Sequence, residues 1–210
     1  MLRILPAVHA AGYSSLVLGY RNDPDAPASR EGMHRFGATE WADLEAAVDF
    51  AMARGATEVV LVGYSMGGAI VLSFLQHSPL APSVRGVILD APLLSLGHAV
   101  DFQAGEDGIW RPITVVGKRF ATWRYEVDWH EVDYRSFAES IALPVLLFHG
   151  SEDKTTPVRL SDRLAEMRPD NVTYLKVQGA GHVRSWNVQP AAYEAAVRRF
   201  LTLTVPNTPR

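Results

Sequence analysis

The chain of 210 residues contains no cysteine. That absence excludes a disulfide framework, a thiolate nucleophile and any Cys-ligated zinc site, and it fits either redox compartment. There is no excess of basic charge either. Lys and Arg number 20 against 23 Asp and Glu, a net charge of −3, so no basic field draws the chain to nucleic acid. No apolar run is long enough to read as a membrane span. Residues 59–75 carry no charge over 17 positions, close to the roughly 20 a bilayer requires. Gly63, Gly67 and Gly68 interrupt that run and Gln76-His77-Ser78-Pro79 closes it, which reads as a buried strand, a tight turn and a buried helix. The first ten residues faintly resemble a signal peptide. Their apolar stretch is short, contains His9 and leads straight into a strand-like segment, so the expectation is a cytoplasmic protein. No internal repeat and no low-complexity linker is present.

What is present reads as one globular domain: 48% hydrophobic residues and 20% charged. Ile4, Leu5 and Val8 suggest the end of an amphipathic helix stopped at Gly12. Residues 16–20 read as a short apolar strand, and 21–37, with Asn22-Asp23-Pro24 and Pro27, as a long polar loop. Residues 38–54 predict a helix with Trp41, Leu44, Val48 and Met52 on one stripe and Gly55 at its end. Strands are expected at 59–62, 84–89, 145–149 and 172–177, and helices at 69–76, 157–167 and 190–203. The later two helices open on Pro. Alternation of strand and helix implies a mostly parallel α/β sheet flanked by helices. Between 93 and 143 the pattern loosens, with Trp110, Phe120, Trp123, Tyr125 and Trp129 scattered among charges.

The chemistry concentrates in Gly63-Tyr64-Ser65-Met66-Gly67-Gly68, a G-x-S-x-G pattern between an apolar strand and an apolar helix. A serine on that turn is held in a strained backbone conformation, and flanking side chains would collide across it. Its hydroxyl is a weak nucleophile that needs a base, and the base needs an orienting group. Of the seven histidines, His182 lies in a loop after a late strand, within Gly179-Ala180-Gly181-His182; His149 ends a strand and is expected to pack at the sheet edge. The acid is expected after the preceding strand, where Asp153 is favoured over its neighbour Glu152. Asp90, at the end of another buried strand, stays a rival, and Asp153 could instead only cap a turn.

Ser65, Asp153 and His182 occur in the chain order of the α/β-hydrolase triad, each at the C-terminal end of a predicted strand. On these residues, with His149-Gly150 and Pro157, the chain resembles the serine aminopeptidase and monoacylglycerol-lipase-like branch of the α/β-hydrolases, from residue 11 to about 203. The resemblance implies an α/β-hydrolase fold and two-step acyl transfer at Ser65, with His182 as base, Asp153 holding its imidazole, and the Met66 N–H as one oxyanion donor. It implies no metal or organic cofactor and a small-molecule ester or short peptide as substrate. Residues 93–143 correspond to a small lid. Their tryptophans either line an acyl pocket or pack the lid onto the sheet, while Arg119, Arg124 and Arg135 are expected in solvent. Tyr64 and Trp186 are candidate substrate neighbours.

The resemblance also implies two antiparallel strands, a third strand and a His-Gly loop ahead of the first helix. This chain opens in that helix, so five of eight strands are expected, and the oxyanion donor of that loop has no counterpart. The third strand would lie between 16–20 and 59–62. Those two segments are therefore expected either to close up or to keep unpaired edges. Three readings stay open: a serine esterase, a serine peptidase, and a fragment without activity that lacks part of its oxyanion hole.

Overall fold

The computed structural model describes residues 2–204. Four strands form one parallel sheet in the order β1 (Val59–Tyr64), β2 (Val84–Asp90), β3 (Val145–Gly150) and β4 (Val172–Val177). The helices in chain order are α1 (Leu5–Ala10), α2 (Trp41–Met52), α3 (Met66–His77), α4 (Leu96–Glu106), α5 (Arg111–Tyr125), α6 (Arg135–Ala138), α7 (Val158–Met167), α8 (Ser185–Val188) and α9 (Pro190–Thr204).

Every residue of β3 is buried, as expected of a central parallel strand covered on both faces. Successive side chains along a strand point to opposite faces, and the core divides accordingly. Val87 and Leu89 of β2 and Val145 and Leu147 of β3 join one cluster, with Leu44, Val48, Leu72 and Phe74 from α2 and α3. Ile88, Leu146 and Phe148 face a second cluster built on α1 and α9, where the Phe148 ring stacks on Tyr193 with centroids 4.0 Å apart. The helical stripe of Leu44 and Val48 and the apolar α3 thus cover one face, and the C-terminal helix the other.

One expected strand is absent. Residues 16–20 form no regular element and take no part in the sheet. Leu16 and Val17 are exposed, Leu18 and Tyr20 rest against the core, and Arg21 is tied to Asp43 of α2 at 2.8 Å. Apolar β-formers become a strand only where a neighbour pairs their N–H and C=O groups. Among the described residues β1 is hydrogen-bonded to β2 alone, and nothing pairs with 16–20. The sheet therefore has four strands rather than five, and β1 is its edge. α3 also begins three residues earlier than the apolar pattern suggested, directly after Ser65.

Candidate active site

β1, β3 and β4 each release one of the three sequence-selected residues at their C-terminal ends, the edge of an open α/β sheet where sites gather. Ser65 follows β1 with φ 50° and ψ −117°, a conformation that L-residues visit rarely. Its backbone is fixed from three sides: its N–H donates to the Asp90 carbonyl at 3.1 Å, and its carbonyl accepts from Gly68 and Leu93, each at 2.9 Å. The glycines around it divide in a way the pattern does not reveal. A Cβ on Gly63 would come within 2.5 Å of the Gly67 carbonyl oxygen, and one on Gly68 within 2.6 Å of the Pro92 Cβ, whereas one on Gly67 would meet open space. The close strand–helix crossing thus demands glycine at 63 and 68, and position 67 supplies only the backbone that passes beneath.

His182 sits after β4 in a loop braced against the β3 end, where Glu152 N–H donates to the Ala180 carbonyl at 2.9 Å. A Cβ at Gly150 would overlap that same carbonyl oxygen, so the two loops pack backbone to backbone. This packing brings His182 Nδ1 to 2.7 Å from Asp153 Oδ2 and His182 Nε2 to 2.8 Å from Ser65 Oγ. The geometry fits the tautomer protonated on Nδ1, which donates to Asp153 and leaves Nε2 to accept from the Ser65 hydroxyl.

Asp153 is buried and crowded with donors. Oδ1 accepts the Thr155 and Thr156 N–H groups at 2.7 and 2.9 Å, and Oδ2 accepts the Thr156 hydroxyl at 3.0 Å. Burial pushes this carboxyl up, but hydrogen bonds from His149, His182, Thr156 and Thr155 outweigh it and hold the group well below the usual carboxylate range. Asp153 therefore shapes its turn and holds His182 at once. Glu152 is exposed, and the His182 ring nitrogens meet Asp153, Thr156 and Ser65 instead.

His149 is the participant that sequence reasoning did not identify. It is buried at the sheet edge as expected, but its Nε2 also lies 3.2 Å from Asp153 Oδ2 and its Nδ1 2.7 Å from Ser161 Oγ. Two imidazoles thus share one carboxylate oxygen. The available signal was a histidine at a strand end four residues before the acid, a spacing that a tight turn folds back onto itself.

Asp90 lies elsewhere. Its carboxylate accepts from Ser185 Oγ at 3.0 Å, beneath the site rather than on His182. Burial pushes its pKa up to about 6, and the Ser185 hydrogen bond only partly offsets this. The neutral acid is favoured in the fold. Asp90 therefore contributes stability in full below its ordinary pKa near 3.8, and that contribution is lost as pH rises through about 6. The rise from 3.8 to about 6 corresponds to about 3 kcal/mol. Asp90→Asn is expected to be more stable than the wild type by up to about 3 kcal/mol at pH 8, with the difference vanishing by pH 4. Denaturant titrations at both pH values check this, and an equal difference at both would remove the buried charge as its cause.

Tyr64 and Trp186 spend their polar atoms on the protein itself. The Tyr64 hydroxyl lies 3.5 Å from that of Tyr193, and burial raises its pKa to about 12. Trp186 Nε1 donates to Glu194 at 3.1 Å while Arg3 lies over its ring, against the second core cluster. Residues 93–143 fold as α4, α5 and α6 with connecting turns. Of their tryptophans Trp129 is partly buried, donating to Thr122 Oγ1 at 2.9 Å, whereas Trp110 and Trp123 stand 72% and 76% exposed.

A parallel sheet with helices on both faces and a strained strand–serine–helix turn at its C-terminal edge defines the α/β-hydrolase class. The chain belongs to the alpha/beta hydrolase family, whose model matches residues 5–196. It is 28% identical over 205 residues to an uncharacterized protein of Mycobacterium tuberculosis H37Rv, and equally to one of strain CDC 1551. In each comparison 94% of this chain is covered, and the chain spans 63% of the relative's length. Among solved structures it is similar to the Pyrococcus furiosus esterase Pf2001, at 20% identity and TM-score 0.73, over 97% of this chain and 76% of that one. The monoacylglycerol lipase of Paleococcus ferrophilus is similar at 18% identity and TM-score 0.64, over 96% and 88% of the two chains. A Bacillus anthracis bromoperoxidase follows the same fold at 17% identity and TM-score 0.67, over 95% and 86%.

Proposed function

We propose that this protein is a serine hydrolase that cleaves carboxylic esters through an acyl-enzyme. The observation that carries the reading is the continuous hydrogen-bond chain from Ser65 Oγ through His182 to Asp153, at 2.8 and 2.7 Å, with the serine on a strained turn. His182 Nε2 takes the proton as Ser65 Oγ attacks the ester carbonyl, and returns it to the departing alcohol. Water then attacks the acyl-enzyme, giving its proton to His182, and Ser65 is released with the free acid. Asp153 holds the imidazole and stabilises its charged form.

Met66 opens α3, so its N–H needs no helical acceptor and serves as one donor to the oxyanion in this reading. The chemistry asks for no metal or organic cofactor. Residues 93–143 act as a lid, because Leu93 is bonded to the Ser65 carbonyl and Gln103 of α4 to the Thr155 carbonyl, tying this segment to both the nucleophile and the acid loop. Tyr64 and Trp186 belong to the walls around the triad, without a part in proton transfer. Esters are favoured over peptides because the Pyrococcus and Paleococcus relatives are named as an esterase and a lipase.

The test is a panel of p-nitrophenyl esters of increasing acyl length, beside the matching anilides, with a fluorophosphonate probe in parallel. The expected result is ester hydrolysis exceeding anilide hydrolysis, with the probe attached at Ser65. Labelling of the folded protein at another residue, or faster anilide cleavage, overturns the nucleophile and the substrate class respectively.

A further inference from the structure

The outer face of α5 has no role in the fold. A surface helix ordinarily turns its apolar stripe inward. α5 does the reverse: its covered positions are Thr114, Lys118 and Ala121, at successive turns, with Lys118 reaching the Gly97 carbonyl and Asp101 of α4, while Ile113, Val116, Phe120 and Trp123 are 51–76% exposed. At 100° per residue these four large side chains fall within an arc of about 80°. Trp110 at the helix start extends the patch, and the Phe120 and Trp123 rings lie 5.7 Å apart, touching each other rather than the core. Isolated apolar residues on a surface need no explanation, but a contiguous aromatic and aliphatic patch on one helix does.

Charge identifies what covers it. α5 carries Arg111, Lys118, Arg119 and Arg124 and no acidic residue, in a chain whose net charge is −3. Lys118 pairs with Asp101 at 3.0 Å, but Arg111, Arg119 and Arg124 enter no ion pair among the described residues. By the same helical spacing Arg119 and Arg124 border the apolar arc on its two sides. Asp107 and Glu126 flank the helix without lying on it. An apolar arc with aromatic anchors, edged by guanidinium groups that enter no ion pair among the described residues, is the pattern of a helix lying in a lipid interface. The bonds of Leu93, just ahead of α4, and of Gln103 within it set this pair of helices at the same edge of the sheet as Ser65 and Asp153.

We propose that the exposed face of α5 docks this protein onto an anionic lipid surface, with Ile113, Val116, Phe120 and Trp123 entering the headgroup boundary and Arg119 and Arg124 meeting lipid phosphates. No helix among the described residues is long and apolar enough to cross a membrane, so α5 lies on the surface rather than spanning it. The proposal does not depend on the catalytic reading, and its test measures binding alone.

The experiment is flotation of the full chain with vesicles of equal phosphatidylglycerol and phosphatidylcholine, against vesicles of phosphatidylcholine only. Binding to the anionic vesicles is expected, weakening steeply with added salt. Phe120→Ser with Trp123→Ser, and separately Arg119→Glu with Arg124→Glu, are each expected to lower the partition coefficient at least about tenfold. All four residues are exposed, so circular dichroism is expected to show an unchanged fold. Phe50→Ser, at an exposed phenylalanine on α2, is expected to leave binding intact. Absence of flotation with the anionic vesicles, equal binding to both vesicle types, or an equal loss in Phe50→Ser overturns the proposal. So does a self-associated species that the α5 substitutions disperse while flotation is absent, which would assign the face to a second copy of the chain.

Discussion

Ser65→Ala is expected to lower ester turnover by about 10⁴–10⁶-fold, with the loss in kcat and little change in KM. The reasoning starts from the turn. Ser65 is held at φ 50° by the bond of its N–H to the Asp90 carbonyl and by the two bonds its own carbonyl accepts, and alanine keeps all three because they are backbone contacts. Gly63 and Gly68, whose missing Cβ atoms permit the crossing, are untouched. The fold and the ground-state contacts of a bound ester therefore survive. What disappears is the single atom able to bond the carbonyl carbon and the proton that His182 Nε2 accepts at 2.8 Å. Residual hydrolysis rests on whatever oxyanion stabilisation the Met66 N–H provides without a nucleophile. Steady-state kinetics on the purified variant, with circular dichroism for the fold, check this. Activity within tenfold of wild type in a folded sample would remove Ser65 from the chemistry.

The parts of this site that were legible share one property: they are specified by local sequence. The β1–Ser65–α3 unit is written in an apolar strand, a glycine-flanked serine and an apolar helix within 19 consecutive residues. Asp153 and His182 follow the ends of strands whose apolar runs are equally plain. What was not legible depends on neighbours distant in the chain. Residues 16–20 carry strand-forming side chains, yet a strand is a property of a pair, and no partner among the described residues meets them. His149 reads as packing, and only the fold of the β3 end shows its Nε2 sharing an oxygen with His182. Asp90 and Asp153 both end buried strands and look alike in sequence. They diverge because one is buried against the Ser185 hydroxyl while the other gathers five donors. Trp110 and Trp123 read in the sequence as lining a pocket or packing the segment onto the sheet, and they stand exposed, because the covered face of α5 carries Thr114, Lys118 and Ala121.

Asp153→Asn is expected to cost about 10⁴-fold in kcat, although it exchanges one nearly isosteric group for another. An amide has one oxygen and one NH₂ where the carboxylate has two oxygens. The Thr155 and Thr156 N–H groups, at 2.7 and 2.9 Å, demand an acceptor at the Oδ1 position, so the amide oxygen stays there. The NH₂ then occupies the Oδ2 position, facing His182 Nδ1 at 2.7 Å and His149 Nε2 at 3.2 Å. A donor facing Nδ1 selects the tautomer with its proton on Nε2, and an Nε2 that already carries a proton cannot take one from Ser65. Catalysis fails through the wrong tautomer while the geometry remains. The same carboxylate also stabilises the fold. Because its pKa is held well below the ordinary 3.8, its contribution is present above about pH 4 and fades as pH falls through the lowered value. The stability gap between wild type and Asp153→Asn is therefore expected to be widest near neutrality and to narrow in acid. Kinetics at pH 7 with denaturant titrations across pH 3–7 read both effects. A variant that loses stability in this way yet keeps activity within tenfold would leave Asp153 as a brace for its turn and take it out of the triad.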